Sequence, residues 1–171
     1  SRRFGQIEAI ASHYANIWCT VGTHPHNAAE EADIETQQIV DLTEDPNVVG
    51  IGEAGLDFYY DRSPRDIQEQ VFRRHIDAAR QTGLPLVIHS RDADNEMAAI
   101  LEEEMGKGAF KLLLHCFSSG APLAHKGIEL GGYISFSGIL TFKKSDELRE
   151  IAHQITLDRI LIETDAPFLA P

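Results

Sequence analysis

The residues of this chain that are able to do chemistry gather at the ends of short apolar runs. The run Ile17 to Val21 is followed by Gly22-Thr23-His24-Pro25-His26, and the run Val48 to Gly52 by Glu53-Ala54-Gly55-Leu56-Asp57. Leu84 to His89 leads into Ser90-Arg91-Asp92, and Lys111 to Cys116 carries His115 at its end before Phe117-Ser118. Gly132 to Ser137 closes on Ser135-Phe136-Ser137-Gly138, and Arg159 to Glu163 on Glu163-Thr164-Asp165-Ala166-Pro167. Imidazoles and carboxylates converging on one mouth are the ligands that zinc, manganese or magnesium require. A lone strand-end His is more often a satisfied structural residue, and a lone Asp often caps a helix. Recurrence changes the balance, because several independent strands each place an expensive polar group at the same end.

The elements that must position these groups are legible from periodicity. All six runs read as buried strands, and the stretches between them carry helical spacing. In Arg65 to Thr82, for example, Val71, Phe72, Ile76 and Ala79 recur three or four apart beside charged neighbours. Gly83 stops that helix, and Leu84-Pro85 opens the next strand. The same spacing predicts helices near Arg2 to His13, Ile34 to Glu44, Asp92 to Glu104, Pro122 to Glu129 and Asp146 to Gln154, with the acidic stretch Ala29 to Glu35 as a solvated loop and helix start. Alternating strands and helices need crossover connections and hence a parallel sheet, either open and doubly wound or closed as an eight-stranded barrel, for which six strands are too few. In both architectures the carboxyl ends of the strands carry the binding and catalytic groups. Alternation along the fourth run turns Cys116 away from the face His115 presents, so thiolate ligation is not expected, and Cys19 and Cys116 are assigned to packing.

With 171 residues, 43% hydrophobic and 25% charged, the composition suits one globular domain over 1–171. The net charge of -12 argues against a broad basic face for nucleic acid, which would need Lys and Arg to replace phosphate counterions. Acidity does not exclude a nuclease, because carboxylates that gather divalent cations create a locally positive pocket. No apolar run approaches bilayer length and Ser1-Arg2-Arg3-Phe4 lacks a signal peptide's apolar stretch, so the expectation is a cytoplasmic protein with no membrane and no obligate protein partner.

The segments Gly22-Thr23-His24-Pro25, Gly52-Glu53-Ala54-Gly55-Leu56-Asp57-Phe58-Tyr59, Leu84-Pro85-Leu86-Val87-Ile88-His89-Ser90-Arg91, His115-Cys116-Phe117-Ser118, Tyr133-Ile134-Ser135-Phe136-Ser137-Gly138 and Leu161-Ile162-Glu163-Thr164-Asp165-Ala166-Pro167, in this order, resemble the TatD deoxyribonucleases. The resemblance spans nearly the whole chain. It implies a TIM-type (β/α)8 barrel of the metal-dependent hydrolase kind, with about six of its eight strands in this chain, and two divalent metal cations (Mg, Mn or Zn). It further implies hydrolysis of DNA, commonly from the 3′ end. By the family's pattern Glu53 bridges both metals, His89 and His115 hold one, and Asp165 holds the other. The pattern also includes a strand ending in an H-x-H pair that completes the Asp165 metal. The first run here matches the family's third strand, so the residues of the family's first, H-x-H strand are not among these 171, and the chain is expected to be trimmed at both ends.

Roles follow as expectations. Glu53 and Asp165 are the catalytic carboxylates, Asp165 orienting the attacking water. His24 and His26 line the mouth as substrate-binding phosphate contacts or proton donors, or else serve the structure, and Arg91 holds a phosphate oxygen through its planar fork. Asp57 accepts the far N–H of a metal-ligating histidine or caps its loop. Phe58, Tyr59, Tyr60 and Phe117 either stack on a base or serve packing. His13, His75, His125 and His153 fall within helices as surface or packing residues, and Lys143 and Lys144 either approach DNA or are merely solvated. The rivals are a hydrolase of the same superfamily acting on amide, lactone or phosphotriester bonds, against which Glu53 stands where those enzymes carry a carboxylated lysine, and a non-catalytic barrel remnant.

Overall fold

The computed structural model of the protein describes residues 4–169. In chain order the elements are α1 (Phe4–His13), β1 (Cys19–Val21), α2 (Thr36–Leu42), β2 (Val48–Asp57), α3 (Arg65–Thr82), β3 (Leu86–Arg91), α4 (Asp94–Lys107), β4 (Leu112–Leu114), α5 (Ala121–Glu129), β5 (Tyr133–Phe136), α6 (Asp146–Gln154) and β6 (Ile160–Ile162). Every neighbouring strand pair is parallel, and the strands lie side by side in sequence order from β1 to β6. A doubly wound sheet reverses its strand order midway. A sheet that adds each new strand to the same side has the topology of the (β/α)8 barrel, of which these six strands form an arc. Among the described residues β1 and β6 are not hydrogen-bonded to each other. Of the expected helix Arg2 to His13, the portion before Phe4 lies outside the described residues.

Helices cover the sheet because each carries one apolar stripe. On α3 the buried residues are Gln68, Val71, Phe72, His75, Ile76, Ala78 and Ala79, packed against β2, and Gly83 ends the helix at φ 71°. Met97, Ile100 and Leu101 on α4, Leu123 and Ala124 on α5, and Leu148 and Ile151 on α6 supply the same stripe further along. No helix among the described residues is long and apolar enough to cross a membrane.

Three features depart from expectation. β2 continues to Asp57 rather than stopping near Gly52, and against β3 it carries an extra residue between Ile51 and Ala54, a bulge that re-aims Glu53. β4 stops at Leu114, so Cys116 lies beyond the ladder with a positive φ of 44°. Strand alternation therefore does not govern Cys116, which lines the same cleft as His115. Finally, Glu31 is buried rather than solvated and accepts a hydrogen bond from the Thr23 hydroxyl.

Close backbone packing lets β2 run beside β3. Gly55 has φ 152°, and a Cβ there would sit 1.9 Å from the His89 carbonyl oxygen. Gly55→Ala is therefore expected to destabilise the fold by about 3 kcal/mol or more, from steric overlap together with an unfavourable φ. Unchanged thermal unfolding would contradict this packing.

Buried His75 ties α3 to the chain after β1: Thr23 N–H donates to His75 Nε2 at 2.9 Å, and His75 Nδ1 lies 2.8 Å from the Val71 carbonyl. Burial lowers its pKa from 6.5 to about 4. Between those values the unfolded chain binds a proton that the folded one refuses, so stability is expected to fall by about 3 kcal/mol as pH drops from 6.5 to 4. Denaturant titrations across that range should show a shallower slope for His75→Gln, and an unaltered slope would refute the assignment.

Candidate metal centre

The strand ends deliver their polar side chains to one cleft of about 1300 Å³, lined by His24, His26, Glu53, His89, His115 and Asp165 among others. The chain after β1 is fixed by the Thr23 contacts to His75 and Glu31, and Pro25 opens a short 3₁₀ turn. In that turn the His26 N–H donates to His24 Nδ1 at 3.2 Å. An accepting Nδ1 puts the proton of neutral His24 on Nε2, the nitrogen 3.9 Å from Glu53 Oε1. Burial lowers the His24 pKa to about 4, outweighing the pull of Glu53, so the ring presents an uncharged N–H donor.

Glu53, placed by the β2 bulge, has three imidazoles around one oxygen. Oε1 lies 2.9 Å from His89 Nδ1, 3.8 Å from His115 Nε2 and 3.9 Å from His24 Nε2. Burial pushes its pKa up, but the hydrogen bond and charge of His89, with His24 and His115, outweigh burial and hold it below the ordinary value. Asp165, at the left-handed φ of 56°, brings Oδ1 to 3.9 Å from His115 Nε2. Glu53, His89, His115 and Asp165, remote in sequence, thus stand within a few ångströms of one another.

Two carboxylates brace this group from outside. Asp57 is fully buried. Its Oδ2 accepts from His89 Nε2 at 3.0 Å and from His26 Nε2 at 2.8 Å, and its Oδ1 accepts from the Tyr60 N–H at 2.8 Å. Burial raises its pKa, but those partners, the Tyr60 N–H foremost, bring it below the ordinary value. Glu163 does the same for His115. Its Oε2 accepts from His115 Nδ1 at 2.9 Å, while Oε1 accepts from the Cys116 N–H at 2.7 Å and from the Ser135 hydroxyl. Desolvation lowers the His115 pKa, yet Glu163, Glu53 and Asp165 outweigh it and leave it raised.

Glu163 was missed as a functional residue, although a carboxylate two residues before Asp165 at the end of the same apolar run was a signal. The remaining assignments sort by exposure. His26 uses Nε2 on Asp57, which leaves it a brace within the cleft. Phe58 and Phe117 are buried, whereas Tyr59 and Tyr60 are exposed and line the cleft. Arg91 also lines it. His13, His125 and His153 are exposed on their helices, and Lys143 and Lys144 are exposed in the turn before α6, all outside the cleft. Cys116 faces the cleft with its Sγ on the Ser137 hydroxyl, and burial pushes its thiol up to about 11, so it stays protonated at neutral pH.

This donor set fits divalent cations. His89 gives Nε2–H to Asp57 and turns Nδ1 to a Glu53 oxygen at 2.9 Å, a contact that is bridged by a proton in the hydrogen bond and that a cation could bridge in its place. By distance, His24, Glu53 and His89 form one group of candidate ligands and His115, Glu163 and Asp165 another, the ligand atoms of each lying within 4.8 Å of one another. The resemblance had put His89 and His115 on one ion. Both imidazoles face the same oxygen, Glu53 Oε1, at 2.9 and 3.8 Å.

Known proteins resemble this chain. The family model described as TatD related DNase matches residues 1–171. The chain is 41% identical over 92% of its length to the uncharacterised metal-dependent hydrolase YabD of Bacillus subtilis, covering 62% of that protein. It is 36% identical over 97% of its length to the 3'-5' ssDNA/RNA exonuclease TatD of Klebsiella pneumoniae, covering 63% of it. Among solved structures, the TatD homologue YJJV of Escherichia coli superposes with a TM-score of 0.87 at 26% identity, over 98% of this chain and 65% of the other. The chain thus spans somewhat over three fifths of the length of these relatives.

Calorimetric titration with manganese is expected to show binding that Glu53→Gln largely abolishes. Asp57→Asn and Glu163→Gln should each weaken it roughly 10- to 100-fold, since they free the imidazoles to adopt the wrong tautomer. Full-strength binding in all three variants would exclude this cleft as the metal centre.

Proposed function

Because the chain belongs to the TatD related DNase family, we propose that the protein carrying it is a divalent-cation-dependent phosphodiesterase that hydrolyses DNA, removing nucleotides from the 3′ end. The observation that carries this reading is the inward-facing set of Glu53 Oε1, His89 Nδ1, His115 Nε2 and Asp165 Oδ1, each imidazole held in tautomer by a carboxylate behind it. The ion that such donors suit would supply Lewis acidity toward a phosphoryl oxygen and would make a nearby water more acidic.

The protein's own groups divide the remaining work. Glu53, His89, His115 and Asp165 would hold the ions. Asp165, partly open to the cleft, accepts a hydrogen bond from the attacking water and so orients it in line with the leaving oxygen. His24, neutral and protonated on Nε2, donates to a non-bridging phosphoryl oxygen without the cost of a buried charge. Arg91 grips a neighbouring phosphate. Asp57 and Glu163 act through the histidines they hold, not on the substrate. The name of the Klebsiella relative, a single-stranded DNA and RNA exonuclease, supports a nucleic-acid substrate over the amide, lactone and phosphotriester alternatives.

In an assay on a 5′-labelled single-stranded oligonucleotide, the protein with added magnesium or manganese is expected to shorten the strand stepwise from its 3′ end, and Glu53→Ala to lower turnover at least about 100-fold, by removing the carboxylate that faces both His89 and His115. Turnover of a lactone or phosphotriester with the oligonucleotide left intact would overturn the proposal.

A further inference from the structure

The wall of the cleft beside the candidate ligands has a second chemistry. Tyr59 and Tyr60 are 57% and 48% exposed, with ring centroids 4.9 Å apart at an interplanar angle of 88°. The Arg91 guanidinium carbon lies 4.2 Å from the Tyr59 ring centroid and 4.8 Å from that of Tyr60, and that of Arg62 lies 5.3 Å from Tyr60. Elsewhere arginines are engaged: Arg65, Arg73, Arg80, Arg149 and Arg159 by carboxylates, and Arg74 by backbone carbonyls. Among the described residues Arg62 and Arg91 form neither an ion pair nor a side-chain hydrogen bond, and both line this cleft. In a chain of net charge -12, two unpaired guanidinium groups stacked on two exposed tyrosines are a built surface with its hydrogen-bond donors still free.

Resting on the phosphodiesterase reading, we propose that Tyr59, Tyr60, Arg62 and Arg91 form a platform for the terminal nucleotides of a single strand, the tyrosines stacking an unpaired base and the arginines taking the flanking phosphates. Every base offers a π-face, so such a platform recognises the presence of a base and not its identity. Its placement fits the cleavage site. The Tyr60 N–H is held by Asp57 Oδ1, while Asp57 Oδ2 holds His89, so one carboxylate fixes the platform relative to the candidate ligands. Arg91 stands two residues beyond His89 on β3, about 6.6 Å along the strand, which allows one phosphate at the ligands and the next at the guanidinium. Asp92, Asp94, Glu96 and Glu147 line the cleft as well. Their charge disfavours the second phosphate backbone that a paired end would bring.

The test uses the complete protein with calcium or magnesium and two fluorescent single-stranded oligonucleotides, one ordinary and one abasic at its 3′-terminal nucleotides. The protein is expected to bind the ordinary strand roughly ten-fold or more tightly than the abasic one, the size of one stacked base. Tyr59→Ala with Tyr60→Ala should erase that difference without altering abasic binding, and the Tyr→Phe pair should restore it. Equal affinity for both strands in the parent protein would overturn the platform, as would alanine variants that weaken both strands alike. The reading it rests on fails separately: base-dependent binding with no strand shortening removes hydrolysis and keeps the platform, whereas equal shortening of ordinary and abasic ends removes the platform and keeps hydrolysis.

Discussion

A carboxylate buried as completely as that of Asp57 is unfavourable unless its oxygens are answered by donors. Its three donors, from His26, His89 and Tyr60, belong to three different segments of the cleft. Meeting that one electrostatic requirement fixes the His89 tautomer, braces the turn after β1 and sets the position of the aromatic wall. Gln68 secures the strand end itself, since Asp57 N–H donates to its side-chain oxygen at 2.8 Å, while its amide reaches the Asp57 carbonyl. The packing of α3 on β2 is thereby transmitted to the geometry of the site.

Glu163 repeats the arrangement on the other side of the cleft with His115, Ser135 and the backbone of Cys116. Both imidazoles are left with one nitrogen facing inward, toward Glu53 and Asp165. The cleft then concentrates carboxylates with few cationic side chains among them, and the imbalance is of the kind a bound divalent ion resolves. Left-handed backbone at Asp92, Cys116 and Asp165 accompanies this crowding at three strand ends, as is common where structure is subordinated to a site.

Much of this was legible in the sequence because it rests on short-range pattern. Short continuous apolar runs and the Val71, Phe72, Ile76 and Ala79 stripe gave strands and helices close to those observed, and polar groups at the strand ends gave the cleft. Strand order was open between two architectures until pairing showed no reversal. What stayed hidden depends on backbone detail that residue types do not encode: the bulge at Gly52-Glu53, the end of β4 before Cys116, and the burial of Glu31 by Thr23. Glu163 was overlooked because a carboxylate that closes an apolar run reads as the strand's end and not as a partner for a histidine two strands away. Exposure, which separates Tyr59 and Tyr60 from Phe58 and Phe117, is likewise a tertiary property.

The most direct test of a metal centre built from Glu53, His89, His115 and Asp165 is anomalous X-ray scattering from crystals of the protein grown with manganese. The account predicts anomalous density between these side chains, at about 2.2 Å from a Glu53 oxygen and from at least one imidazole nitrogen. Manganese bound elsewhere on the surface, with this cleft empty, would contradict it.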